Sequence, residues 1–221
     1  MRAILRAEGD WQDAIAMALS EAPRPIPPDN RLAPRARTGQ ANLPRWDRST
    51  FPAARAAATL LLVHPDHDGE LVIPLTIRHR DLPDHPGEIS LPGGAVDPGD
   101  ASLEDTALRE AAEEVGLDRS MVRVVGMLDD IWIPVSNFEL RPVVATSASA
   151  PTLTPREEEV EALILFPLRL LLAEDAIQVE EITVRGAVVR AGVYRHAGHR
   201  IWGATARTLS MLGTVLRPSL D

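Results

Sequence analysis

The sequence predicts an α/β domain, a mixed β-sheet held between helices. Three observations lead there. Apolar runs of strand length are interleaved with two helical stretches through the body of the chain, from about residue 56 onward. The longest apolar runs, 56–63 and 163–172 with Pro167 and Arg169 inside it, are too short to span a bilayer. The composition, 45% hydrophobic and 25% charged over 221 residues, is that of a soluble globular chain with room for one sizeable core. We divide it into residues 1–54, an N-terminal helix and Pro-rich arm, and residues 55–221, the α/β domain.

Taken in order, residues 11–21 have helix-forming composition, and seven of the nineteen prolines then fall between Pro23 and Pro52. So many fixed φ angles and missing amides read as an extended arm, of a kind that wraps a partner subunit in a homodimer. Residues 58–63 and 71–78 read as strands joined by a turn at Asp66-His67-Asp68-Gly69, with Pro74 marking an edge or a bulge. A loop through Leu91-Pro92-Gly93-Gly94 leads to a helix over 103–115, capped by Asp100 or Ser102 and left through Gly116. Strands follow at 122–128, 140–146 and 161–166. A hairpin about Gly186 (182–184 and 188–194) and a helix over 204–216 close the chain.

The chain has no cysteine, and all 23 basic residues are arginine. Disulfide frameworks, a cysteine nucleophile, Cys-ligated zinc or iron–sulfur sites, a Schiff-base lysine and a lysine-bearing phosphate loop are thereby excluded. A net charge of −9 argues against nucleic acid as a partner. No membrane segment is expected, and early charges after Met1 read as no secretory signal, hence a cytoplasmic location.

The acids are concentrated. Between Leu91 and Leu117 lie seven (Asp97, Asp100, Glu104, Asp105, Glu110, Glu113, Glu114) against Arg109 alone. Glu110, Glu113 and Glu114 stand at i, i+3 and i+4, so they share one helix face, and we expect their carboxylates to converge. Converged carboxylates favour a cation among them, and an all-oxygen set suits Mg²⁺ or Mn²⁺. Taken alone, a glutamate-rich helix face is most often simply solvated. The full pattern Arg109-Glu110-x-x-Glu113-Glu114-x-Gly116 is another matter, arising by chance in a chain this long on the order of once in ten thousand.

Here the sequence resembles the Nudix hydrolases, whose signature ends in Arg-Glu-apolar-x-Glu-Glu-x-Gly-apolar. Residues 109–117 match it apart from the small Ala111; the signature's earlier Glu falls on Ala101, with Asp100 beside it and Gly94 one residue too far upstream. Leu75-Thr76-Ile77-Arg78, the stretch from His85 to Gly94, residues 128–138 and residues 201–207 are similar to segments of the coenzyme A pyrophosphatase branch. Pro74, His79, Pro83 and Leu91 depart from that branch's pattern.

The resemblance implies an α/β/α sandwich fold and metal-dependent hydrolysis of the diphosphate of coenzyme A or its acyl derivatives. It implies Glu110, Glu113 and Glu114 as metal ligands, the Gly94 carbonyl as a further one, and Arg109 as the orienting group. The general base is Glu113, Glu114 or an acid of the Glu157-Glu158-Glu159 run, of which we select Glu158. Arg78, Arg80, His85, Gly93 and Asn137 are candidate substrate contacts, each with a plain structural alternative: strand-end surface arginines, a loop histidine, a turn glycine, a backbone-capping asparagine. Other Nudix substrates (ADP-ribose, NADH, a nucleoside triphosphate) and a non-catalytic nucleotide-sensing module are the competing readings.

Overall fold

The computed structural model describes residues 6–36, 47–82, 86–184 and 187–220. Helix α1 (Trp11–Glu21) is followed by strands β1 (Arg35–Ala36), β2 (Arg55–Pro65), β3 (Leu71–Arg78), β4 (Ile89–Ser90) and β5 (Gly93–Ala95). Helix α2 (Leu103–Val115) leads to β6 (Arg123–Met127), β7 (Ile131–Ile133), β8 (Phe138–Thr146) and β9 (Val160–Pro167). Strands β10 (Ile177–Val184), β11 (Ala187–His196) and β12 (His199–Ile201) precede helix α3 (Gly203–Leu216).

The main sheet runs β4-β3-β2-β8-β6, with β5 on β2, β7 on β8 and β9 on β3. It is mixed because β2 and β8 pair in parallel while their other neighbours are antiparallel. Strand β2 explains the layers. Its apolar run is buried without interruption from Ala57, the pattern of a strand covered on both faces. Ala58, Leu60 and Leu62 pack with Ala107, Ala111 and Val115 of α2, whereas Leu61 and Val63 join the core that holds α1 and α3. A smaller sheet, β1-β11-β10 with β12 on β11, lies beside it.

The β2–β3 turn forms as its residues demand: the Asp66 carboxylate accepts the amides of Asp68 and Glu70, both at 2.9 Å, and Gly69 takes φ +75°. Pro74 stands where one side of β3 has no ladder partner, the edge position of the two alternatives and not the bulge. It is buried mid-strand opposite Leu165, and the irregularity of β3 falls at Ile77/Arg78 instead. The β2–β3 ladder ends at Val72, so β2 offers no ladder partner at Pro74, where an amide is lacking. Strand β10 starts five residues before the expected 182, because Glu180 answers Arg195 across the hairpin and polar residues are tolerated there. Gly186 itself lies outside the described residues.

The N-terminal segment is not a free arm. Trp11, Ile15, Ala18 and Leu19 repeat at helical spacing and are buried in the same core as α3, together with Ile26 and Leu32. Arg24 donates to Asp129 and to the Met127 carbonyl, and Arg35 pairs with Arg190 on β11. The portion read as wrapping a partner subunit therefore packs, over residues 24–36, on its own chain. Among the described residues no helix is long and apolar enough to cross a membrane.

This packing carries a test. Ile15→Ala, at a fully buried site, should cost about 2–5 kcal/mol and lower Tm by roughly 5–15 °C in a single cooperative transition. Two separate transitions, or no change, would show that α1 is not part of the core.

Candidate active site

Strand β5 and helix α2 bring the candidate residues together. The β2–β5 register sets Thr59 opposite Gly93 and Ala58 opposite Gly94. A Cβ at Gly93 would lie 2.7–2.8 Å from Thr59 Cα and Cβ, so close strand approach requires glycine there. A Cβ at Gly94 would fall within 2.7 Å of the Glu110 carboxyl group. The Glu110 carboxylate thus rests directly against Gly94, and a side chain there would displace it.

Helix α2 is fixed at both ends. Ser102 caps its start by accepting the Asp105 amide at 3.2 Å, and Gly116 ends it with φ +64°. The loop before β9 closes over its C-terminus, where the Thr154 and Arg156 amides donate to the Val115 and Glu114 carbonyls, each at 2.8 Å.

Arg109 is the hub. Its Nε and Nη2 grip Asp100 at 2.8 and 3.0 Å, Nη2 also reaches the Ala95 carbonyl at 3.1 Å, and Nη1 meets Glu110 at 2.9 Å and Glu113 at 3.3 Å. The Asp100 side chain is only 3% exposed and also accepts the Asp97 amide and the Thr106 hydroxyl. Arg109, then these donors, hold its carboxyl far below the usual carboxylate range. Asp100, beside the position where the Nudix signature has its earlier Glu, thus anchors the arginine.

Glu114 is 5% exposed, and its Oε2 has no hydrogen-bond partner. Burial pushes its pKa up to about 8; the charge of Arg78 and the Gly93 amide oppose the shift, while Glu110 and Glu159 add to it. Glu110 is also raised, by burial ahead of the opposing pull of Arg109. Glu113 is half exposed. The three carboxylates do not all lie within ligating distance of one another: Arg109 bonds Glu110 and Glu113, while Glu114 is buried and feels the charge of Glu110. Among the described residues the acids and histidine whose ligand atoms lie within 4.8 Å of one another are Asp66, His67 and Asp68. They form the β2–β3 turn, about 20 Å along β2 from its pairing with β5, and Asp66 is occupied in capping that turn.

The remaining candidates divide. Arg78, at the end of β3, acts on Glu114. Arg80 is exposed and bonds Glu161 at 3.1 Å. Glu158 is 79% exposed and pairs with Arg156 at 3.4 Å; Glu159 pairs with the same Arg156 at 3.1 Å and is the acid of the run whose charge reaches Glu114. Asn137 takes φ +52°, accepts the Trp132 indole N–H at 3.1 Å and faces the Pro52 and Ala53 carbonyls, a turn-holding role. Trp132 stacks edge-on with Phe51 at 4.9 Å, and Trp202 packs on Ile182 and Val193. His85 lies outside the described residues. Sequence reasoning missed Thr106, which carries no signature of its own, and named Glu159 only as one of a run of three acids.

All-oxygen donors, the Glu110 carboxylate seated on Gly94, and a buried carboxylate oxygen without a partner fit a divalent cation. The raised pKa of Glu114 has a definite sign. Below about pH 4.5 the group is protonated folded or unfolded and costs nothing. From there to about pH 8 the unfolded state releases a proton that the folded state keeps, so stability falls as pH rises. Glu114→Gln should therefore stabilise the metal-free protein at pH 8 by ~2–4 kcal/mol, or ~5–15 °C in Tm, and leave it unchanged at pH 4. Thermal melts of both proteins at the two pH values check this; equal differences at both would remove the assignment of burial strain to Glu114.

Residues 54–185 match the NUDIX domain family. Over 163 residues the chain is 34% identical to an uncharacterized Nudix hydrolase, NudL, of Enterobacter sp. (strain 638), a match covering 74% of this chain and 83% of that one. It is 37% identical over 170 residues to the chloroplastic Nudix hydrolase 22 of Arabidopsis thaliana, covering 73% of this chain and 55% of that one. The crystal structure of a MutT/nudix family protein from Enterococcus faecalis superposes with a TM-score of 0.49 at 16% identity, over 81% of this chain and 65% of that one. With a family match over residues 54–185 and a relative 34% identical over 83% of its length, the chain belongs to the Nudix hydrolase family.

Proposed function

We propose that the protein is a metal-dependent diphosphatase that cleaves coenzyme A or its acyl derivatives into 3′,5′-ADP and (acyl-)4′-phosphopantetheine. The observation that carries the hydrolytic reading is the buried Glu114 carboxylate, unpartnered at Oε2, beside a Glu110 carboxylate seated on Gly94. Coenzyme A is supported by the placement of the segments that resemble that branch. The start of α3 is tied to the site loop by the Thr205 hydroxyl, which donates to the Ile89 carbonyl at 2.9 Å. Residues 131–133 pair with β8, next to β2.

Glu110, Glu113 and Glu114 would hold Mg²⁺ or Mn²⁺, with the Gly94 carbonyl as a further oxygen. A divalent ion supplies charge neutralisation of the diphosphate and acidifies the attacking water. The chain's own residues do the rest. Arg109, clamped by Asp100, orients Glu110 and Glu113. Arg78 holds a phosphate oxygen near Glu114. Glu159, rather than Glu158, takes the proton of the water, whose oxygen bonds to phosphorus as the bridging P–O bond breaks. Such displacement needs little beyond positioning and charge stabilisation.

A second reading, another Nudix substrate such as ADP-ribose, NADH or a nucleoside triphosphate, draws on the departures at Pro74, His79 and Leu91 and on Arg80 facing Glu161. Mass-resolved product analysis with coenzyme A, with and without Mg²⁺ or Mn²⁺, separates the two. Metal-dependent 3′,5′-ADP and phosphopantetheine are expected; no product from coenzyme A, with another diphosphate cleaved, would overturn the substrate. Glu114→Gln should lower kcat at least a hundredfold while the fold persists, and unchanged turnover would remove the metal assignment.

A further inference from the structure

Thr106 stands near the start of α2 with no exposed surface. Its Oγ1 lies 2.8 Å from Asp100 Oδ2 and 3.2 Å from the Ser102 carbonyl. A hydroxyl has one proton to give, and the carboxylate, nearer and charged, is the stronger acceptor. The bond is not needed to start the helix, because Ser102 already accepts the Asp105 amide and Asp105 accepts the Ala101 amide at 3.1 Å. Nor does α2 need threonine for its own sake, since a β-branched residue forms helix less readily than alanine.

What the bond does is fix a carboxylate relative to the helix. Asp100 Oδ1 accepts Arg109 Nε at 2.8 Å, while Oδ2 accepts Arg109 Nη2 at 3.0 Å, the Asp97 amide at 2.9 Å and the Thr106 hydroxyl. Arginine is long, and a bidentate arginine–aspartate pair can swing as one unit. Threonine is short and stiff at χ1, so a bond from it to Asp100 removes that freedom. Thr106, Arg109, Glu110 and Glu113 stand at i, i+3, i+4 and i+7, one stripe of α2. The first member of the stripe holds the partner of the second, and the second meets the third and fourth through Nη1 at 2.9 and 3.3 Å.

We propose that Thr106 is a positioning residue for the metal-binding carboxylates: its hydroxyl fixes Asp100, Asp100 fixes Arg109, and Arg109 sets where Glu110 and Glu113 point. This rests on the reading of those glutamates as ligands of a divalent cation. With no exposed surface, Thr106 meets neither cation nor substrate. Its loss therefore weakens ion binding and turnover and leaves substrate affinity alone.

Calorimetric titration of the full-length protein with Mn²⁺, and hydrolysis of coenzyme A at saturating Mn²⁺, test this on three variants. Thr106→Val keeps the shape and removes the hydroxyl, Thr106→Ala removes both, and Thr106→Ser keeps the hydroxyl. The valine and alanine variants should bind Mn²⁺ at least fivefold more weakly and lose at least tenfold in kcat, with KM within twofold of the wild type. Serine should restore both to within threefold. Thermal melts separate position from stability: a lower Tm with wild-type Mn²⁺ affinity and kcat, or failure of both hydroxyl-free variants to fold, would mark a purely structural role and overturn the inference. A serine variant as impaired as the valine one would do the same. If the wild type takes up no Mn²⁺, the metal reading falls and the inference with it. If the wild type binds Mn²⁺ and Thr106→Val binds it equally well, the metal reading stands and the inference alone falls. Should coenzyme A not be cleaved, the Mn²⁺ titration decides without it.

Discussion

A helix with three glutamates within two turns can lie against a protein interior only if their charge is answered, and in this chain the answer begins with Arg109. Its guanidinium reaches the Ala95 carbonyl on β5, Asp100 in the preceding loop, and Glu110 and Glu113 on its own helix. One side chain thereby joins strand, loop and helix. Asp100 and Arg109 form a bidentate pair with low exposure, where such bonds are shielded from water and hold geometry best. The site's rigidity depends on that pair because the glutamates alone repel one another.

The second constraint is steric. Two adjacent glycines on β5 have different reasons to be glycine: Gly93 lets β5 approach the β2 backbone, and Gly94 lets the Glu110 carboxylate sit on the strand. Strand β2 can accept β5 on one edge and β8 on the other because its own faces are apolar and covered by helices. The fold thus brings α2 down onto backbone carbonyls and glycines, a surface of oxygen atoms with little side-chain bulk. That surface suits a hard cation and a polyanionic substrate.

The electrostatics of the site are uneven by construction. Glu113 remains half exposed and is salt-bridged, whereas Glu114 is buried, unpartnered at one oxygen and raised to about 8. Carboxylates three and four positions after Glu110 therefore differ in environment for reasons of burial, not of sequence. Perturbed groups of this kind mark functional sites when they face a charge partner in a cleft, and Arg78 is that partner.

By itself the sequence determined the helices, most of the main-sheet strands, the cap at Gly116 and the helix that carries the Nudix signature, because periodicity, turn residues and a dense acidic motif are local signals. The tertiary structure decided what depends on distant residues. It drew Glu110 and Glu113 to Arg109 and buried Glu114 with one oxygen unpartnered, whereas spacing on one helix face had suggested a set of three alike. It let the charge of Glu159 reach Glu114, which spacing cannot tell within a run of three acids. It laid α1 and residues 24–36 into the core, where composition had suggested an arm, because prolines limit regular structure but do not prevent burial of Ile26 and Leu32.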